Sequence, residues 1–193
     1  MHEQKPLKYT QLDGLSERQL KEHHDILYVG YVNKLNEIEE KLKTTDRSSA
    51  NGTYAEFREL KKEEVFATNG IYLHEYYFDN LGSDKNQSDE AKNIIAKDFG
   101  SYEKWEEDFR ACGLAARGWV VLAYNFEDKK LHNYISDTHD NGGVWSCAPL
   151  IVLDVYEHAY FLDYGTKRKD YIGKFMTNID WKEFIARYNK LKR

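Results

Sequence analysis

Apolar and polar residues recur with two different periods along this chain, and the change from one to the other divides it. Leu20, Leu27, Tyr31, Leu35, Ile38 and Leu42 fall at helical spacings, so one long amphipathic helix is predicted to run to about Lys43, with His23, Leu27 and Tyr31 on one face. Ser16, followed by Gln19, supplies a capping box for its start. After the polar loop TTDRSSANGT, a second helical pattern extends from about Tyr54 to Asn80, with a candidate interruption at Asn69 and Gly70 and a stop before Leu81-Gly82. Two helices joined in this way form an antiparallel hairpin.

The polar stretch from Ser83 to Ser88 reads as a boundary. It separates an N-terminal helical hairpin domain, residues 1–85, from a C-terminal domain, residues 86–193. Helices are predicted at about 88–98 and 101–113, each preceded by a serine suited to capping. The period then shortens: GWVVLAYNF, a turn at Glu127 to Lys130, and LHNYISDT form a β-hairpin. A third strand covers Leu150 to Tyr156, and helices follow at about 157–164, 169–177 and 180–191. The fold class is α+β, a helical hairpin followed by an α/β domain with a three-stranded antiparallel sheet.

Composition narrows the function classes. With 193 residues, 41% hydrophobic and 15% aromatic, the chain can bury a core without staples. Cys112 and Cys147 lie far apart without C-x-x-C spacing, which indicates neither a disulfide framework nor a zinc knuckle and suits a reducing, cytoplasmic compartment. The opening MHEQKPLKYT lacks the apolar core of a signal peptide, and no run approaches the roughly 20 apolar residues that span a bilayer, so no membrane partner is expected. The net charge of −5 comes from interspersed residues, which argues against a nucleic-acid surface. The basic end from Arg187 to Arg193 reads as a solvated helix terminus, and the sequons at Asn51 and Asn86 as chance matches.

The most informative stretch is APLIVLDVYEHAYFLDY, Ala148 to Tyr164. Its apolar run Leu150 to Leu153 reads as a buried strand that ends on Asp154, with His158 four residues later. A carboxylate and an imidazole so placed can share one metal ion, although such a pair taken alone more often marks a hydrogen bond in a core.

DVYEHAYFLDY resembles the metal-binding signature of the iron/manganese superoxide dismutases, usually D-x-W-E-H-A-Y-Y. The resemblance extends over nearly the whole chain. It implies four protein ligands to one iron or manganese ion per subunit: Asp154, His158, His23 in KEHHDILYVGYVNKLN, and His74 in IYLHEYYFDNL. Three imidazoles and one carboxylate suit a metal that shuttles between divalent and trivalent states, as zinc cannot. The implied activity is conversion of superoxide to dioxygen and hydrogen peroxide, with iron, manganese or either serving.

Further roles follow from the same resemblance. A family glutamine that bonds the bound solvent is replaced here: its position on the second helix is Gly70, and its position after the hairpin is His139, expected to fill the space over Gly70. Tyr31 matches the gateway tyrosine, Arg168 the arginine of the substrate channel, and Trp119 a tryptophan walling the site. A homodimer, or a tetramer, is implied, with an interface near Leu27, Glu157 and Phe161. Leu27 and Phe161 stand where the family has a histidine and tyrosine bonded across that interface, so both polar partners are lost together. Val121 and Tyr156 stand where tryptophans are usual. These departures motivate a second reading, a non-enzymatic metal-binding or interaction protein on the same fold. A non-haem iron oxygenase, a third, would leave one imidazole unexplained.

Overall fold

The first helix forms where the apolar spacing predicts it, but its pitch changes where the site residues lie. The computed structural model describes residues 1–82 and 88–191. In it α1 (Glu17–Lys21) passes into a π-helical segment (Glu22–Tyr28) and on into α2 (Val29–Thr44). Spacing read at a single helical pitch misses this register shift: past His24 the core positions are Tyr28 and Val32, whereas Leu27 is half-buried at a surface cleft, so the expected shared face of His23, Leu27 and Tyr31 does not hold at Leu27. At the wide turn itself, the adjacent His23 and His24 are both buried, at 1% and 4% exposure.

Only half of the expected capping box is present. The Ser16 hydroxyl accepts from Gln19 N–H at 3.1 Å, but the Gln19 side chain does not reach back. Ser16 N–H donates instead to Asp163 at 2.7 Å. The Gln19 carboxamide donates to the His158 carbonyl at 2.6 Å and accepts from Leu162 N–H at 3.1 Å, which ties the first helix to the segment carrying His158.

Helix α3 (Glu56–Asp79) packs against α2 and runs without the interruption considered at Asn69 and Gly70. The proposed boundary falls on residues 83–87, outside those described, although Ser88 caps α4 (Asp89–Phe99) as expected. Ser101 likewise caps α5 (Tyr102–Ala115). The sheet has the order β2-β1-β3, all antiparallel, with β1 Trp119–Asn125, β2 Lys130–Ser136 and β3 Cys147–Asp154. β3 therefore starts earlier than predicted and stops at Asp154, not Tyr156. A 3₁₀ turn (Glu157–Ala159), α6 (Phe161–Tyr164), α7 (Arg168–Thr177) and α8 (Trp181–Lys190) complete the chain.

Leu150 to Leu153 are wholly buried: α3 and α8 pack against β3, and the Leu153 side chain lies beside Gly113 of α5, which accounts for a continuous apolar run in place of alternation. Asn80, at the end of α3, fixes the distance between helix and sheet. Its carboxamide accepts from Val152 N–H at 2.6 Å and donates to the Tyr77 carbonyl at 2.9 Å. His74 on the helix and Asp154 on the strand are thereby held in one frame. Among the described residues, no helix is long and apolar enough to cross a membrane.

Candidate metal centre

Four side chains from three separate regions converge in the core. His23 comes from the π-helical segment, His74 from α3, Asp154 from the end of β3 and His158 from the turn beyond it, and one ligand atom of each lies within 4.8 Å of all the others. Asp154 is at the centre: its Oδ2 lies 3.0 Å from His23 Nε2, 3.2 Å from His158 Nε2 and 3.7 Å from His74 Nε2. Its Oδ1 accepts from Tyr156 N–H at 2.9 Å, which orients the carboxylate. Neighbouring backbone holds the histidines: the His74 Nδ1–H donates to the Gly70 carbonyl at 2.5 Å, so Nε2 carries the free lone pair. Gln19 fixes the His158 main chain, as described above.

His23 Nε2 and His74 Nε2 are buried without any hydrogen-bond partner among the described residues. A buried nitrogen left unpaired costs about 1–3 kcal/mol, and here two such atoms face a carboxylate oxygen. A cation between them removes the cost. Ligand bonds of about 2.0–2.2 Å place opposite donors just over 4 Å apart, so the cluster has the span of a single ion.

The charges suit this use. Burial pushes the His23 imidazole down, against the pull of Asp154, and pushes His74 down much further, which keeps both rings neutral. Burial alone would raise the Asp154 carboxyl, but His158 and His23 hold it well below the usual carboxylate range. At His158 burial acts downward, but Asp154 outweighs it and raises the imidazole.

An ordered shell surrounds the four. Trp119, the strand partner of Asp154, meets the His74 ring edge-on with centroids 5.0 Å apart. Its indole N–H donates to His139 Nδ1 at 2.9 Å, and His139 Nε2 lies 2.7 Å from the Tyr31 hydroxyl. An indole nitrogen can only donate, so His139 Nδ1 accepts. Burial holds His139 down to about 4, so the neutral ring keeps its proton on Nε2 and donates it to Tyr31. The Tyr31 oxygen is thus occupied as an acceptor, and its own proton is free to point elsewhere.

His139 is only 4% exposed although it lies on the loop between β2 and β3. One detail of the expectation is corrected: the ring over Gly70 belongs to Tyr31, whose Cδ1 would stand 2.9 Å from an added Cβ. His139 bonds that tyrosine and does not itself lie nearest the glycine. The Tyr156 ring stacks on His158 at 5.1 Å, and its hydroxyl finds its partner in the Asp137 carbonyl at 3.2 Å. Arg168 is half-buried, donating to the Tyr160 hydroxyl at 3.1 Å and the Ala116 carbonyl at 2.8 Å. Those bonds do not bring it into the ring of side chains around Asp154. Leu27, Glu157 and Phe161 line one surface cleft with His158.

Sequence reasoning missed a network that links the segments carrying His23 and His74. The Lys5 carbonyl lies 2.9 Å from His24 Nε2, and the Lys5 N–H donates to the Tyr28 hydroxyl at 2.9 Å. Tyr28 in turn donates to Glu75 at 2.9 Å, and the Lys5 ammonium also meets Glu75. His24 and Glu75 each adjoin a candidate ligand. Nothing local marks this network, since Lys5 lies in a segment with no helix or strand periodicity.

Comparison with known proteins agrees with this geometry. The family model described as "Iron/manganese superoxide dismutases, C-terminal domain" matches residues 87–187. "Superoxide dismutase [Fe]" of Aquifex aeolicus is 40% identical over 189 residues, 95% of this chain and 89% of that protein. "Superoxide dismutase [Fe]" of Cupriavidus metallidurans is 38% identical over 97% of this chain and 96% of its own length. "Superoxide dismutase [Mn] 2" of Haloferax volcanii is 36% identical over 96% and 93%. The chain belongs to the iron/manganese superoxide dismutase family.

Proposed function

We infer that this chain is a superoxide dismutase whose single iron or manganese ion is held by His23, His74, Asp154 and His158. The observation that carries this reading is the pair of buried, unpaired imidazole nitrogens facing the Asp154 carboxylate. The bound ion supplies one-electron chemistry, yielding dioxygen in one half-reaction and hydrogen peroxide in the other. The protein's own part is to keep two imidazoles neutral, to hold the carboxylate ionised and to aim a proton. Tyr31 has that last role: with His139 donating to its oxygen, its hydroxyl proton is available to the reacting superoxide. Arg168 contributes positive charge near the entrance.

The test is metal content and superoxide-dismuting activity on one preparation, reconstituted separately with iron and with manganese. Close to one ion per chain with high turnover is expected, and activity with both metals would mark a cambialistic enzyme. Stoichiometric metal without turnover would overturn the catalytic reading in favour of a metal-binding protein.

The same reading includes a homodimer. Ile26, Phe161 and Leu162 are 62%, 46% and 50% exposed around the cleft that Leu27, Glu157 and His158 also line, an apolar patch beside a metal ligand. A two-fold contact there would let Glu157 reach the partner's site. Phe161→Glu is expected to convert the dimer to monomer at micromolar concentration in sedimentation velocity; an unchanged dimer would show that the interface lies elsewhere. The division into residues 1–85 and 86–193 is supported by the family model's start at residue 87. The free cysteines Cys112 and Cys147 support a cytoplasmic location.

A further inference from the structure

Three Asn-Gly steps occur in the chain, Asn51-Gly52, Asn69-Gly70 and Asn141-Gly142, and the structure treats them differently. This dipeptide is the one most prone to lose its side-chain amide, because glycine leaves its main-chain nitrogen unshielded. The reaction needs the asparagine Cγ to swing onto that nitrogen.

At Asn51 the carboxamide is exposed but held. It donates to the Ser49 and Tyr54 carbonyls at 3.1 and 2.6 Å and accepts from the Thr53 and Tyr54 N–H groups at 3.0 and 2.9 Å. Asn69 lies inside α3, where helical backbone angles keep its side chain away from the Gly70 nitrogen. Asn141 is exposed, lies outside every helix and strand, and its side chain makes no hydrogen bond among the described residues. Gly142 and Gly143 follow it, so neither the residue that carries the attacking nitrogen nor the next one has a side chain to shield it.

We propose that Asn141 is a site of spontaneous deamidation, set apart from the other two Asn-Gly steps by its free carboxamide in an exposed loop. The Gly142 nitrogen, having given its proton to solvent, attacks Asn141 Cγ. The N–Cγ bond forms, the Cγ–Nδ2 bond breaks as Nδ2 takes a proton back from solvent, and ammonia leaves, giving a five-membered succinimide. One water then opens either carbonyl, producing aspartate or isoaspartate with no oxidation or reduction.

The place matters because this loop holds His139. The Ser136 hydroxyl lies against the carbonyls of Thr138 and Asn141, closing the loop on the end of β2. Gly142, at φ +101°, packs so closely that a Cβ would stand 2.5 Å from the Ile135 carbonyl. Isoaspartate at position 141 inserts a carbon into the main chain at that closure, and either product adds a negative charge two residues from His139. This effect on activity rests on the reading of His139 given above; the modification does not.

The test incubates the manganese-loaded full-length protein at mildly alkaline pH and follows the three Asn-Gly peptides by mass spectrometry, with a denatured sample alongside. Asn141 is expected to convert several times faster than Asn51 and Asn69 in the folded protein, and the three to converge when unfolded. Asn141 converting no faster than Asn51 in the folded protein would overturn the proposal. Activity lost in step with conversion, and spared in Asn141→Gln, would support the link to His139. Conversion with full activity would overturn that link and leave the modification site standing.

Discussion

Asp154→Ala is expected to yield a folded protein with almost no bound iron or manganese and only background superoxide-dismuting activity. The reason is the position of this carboxylate. It is wholly buried, its Oδ2 is within 3.7 Å of all three imidazoles, and it is the only negative group among them. Removing a group that merely orients a ligand costs about 10–100-fold in metal affinity or activity. Removing the sole anionic group of the proposed ligand set should exceed that range. Three neutral imidazoles cannot balance a trivalent ion in a low-dielectric core. Metal analysis separates this account from simple unfolding when circular dichroism is measured on the same sample. Near-stoichiometric metal in the folded variant would exclude Asp154 as a ligand. Asp154→Asn makes a finer comparison, because it keeps the shape and the Tyr156 N–H bond but removes the charge. It is expected to retain more metal than alanine and far less than the native protein.

What the sequence revealed of this site depended on how local each contact is. Asp154 and His158 were legible because they stand four residues apart at the end of an apolar run, so strand and turn geometry alone bring them together. His23 and His74 required the resemblance, since a histidine on a helix face carries no local sign of what lies opposite. Gln19 was misread for the same reason. A capping box is local, but this side chain bonds His158 and Leu162, well over a hundred residues away. The occupant of the space over Gly70 was also wrong in detail. A missing side chain shows that room exists, not whether Tyr31 or His139 takes it. The π-helical turn was missed because spacing was read at one pitch: Leu27 was expected on the inner face, and the wide turn puts Tyr28 there.

The tautomer of His139 leads to the second large effect. Trp119→Phe keeps an aromatic ring against His74 but removes the indole N–H that His139 Nδ1 accepts. His139 is then free to place its proton on either nitrogen. Whenever it sits on Nδ1, the lone pair of Nε2 faces the Tyr31 oxygen 2.7 Å away, and Tyr31 must turn its own proton toward the ring. The proton that the proposed mechanism assigns to the reacting superoxide is then used inside the protein. Metal content is expected to remain near native, because none of the four proposed ligands is altered, and activity to fall by about 10–100-fold, the usual range for groups that orient a metal site. Three groups acting in series should not contribute additively, so Trp119→Phe in a Tyr31→Phe background is expected to cost much less than in the native chain. A carboxamide always offers both an oxygen and an N–H, so it needs no neighbour to fix a tautomer. Adding His139→Gln to Trp119→Phe should therefore recover part of the lost activity. Purely additive losses, with no recovery from glutamine, would mean that Trp119 serves the site by packing alone and that the direction of the Tyr31 proton is set by another group.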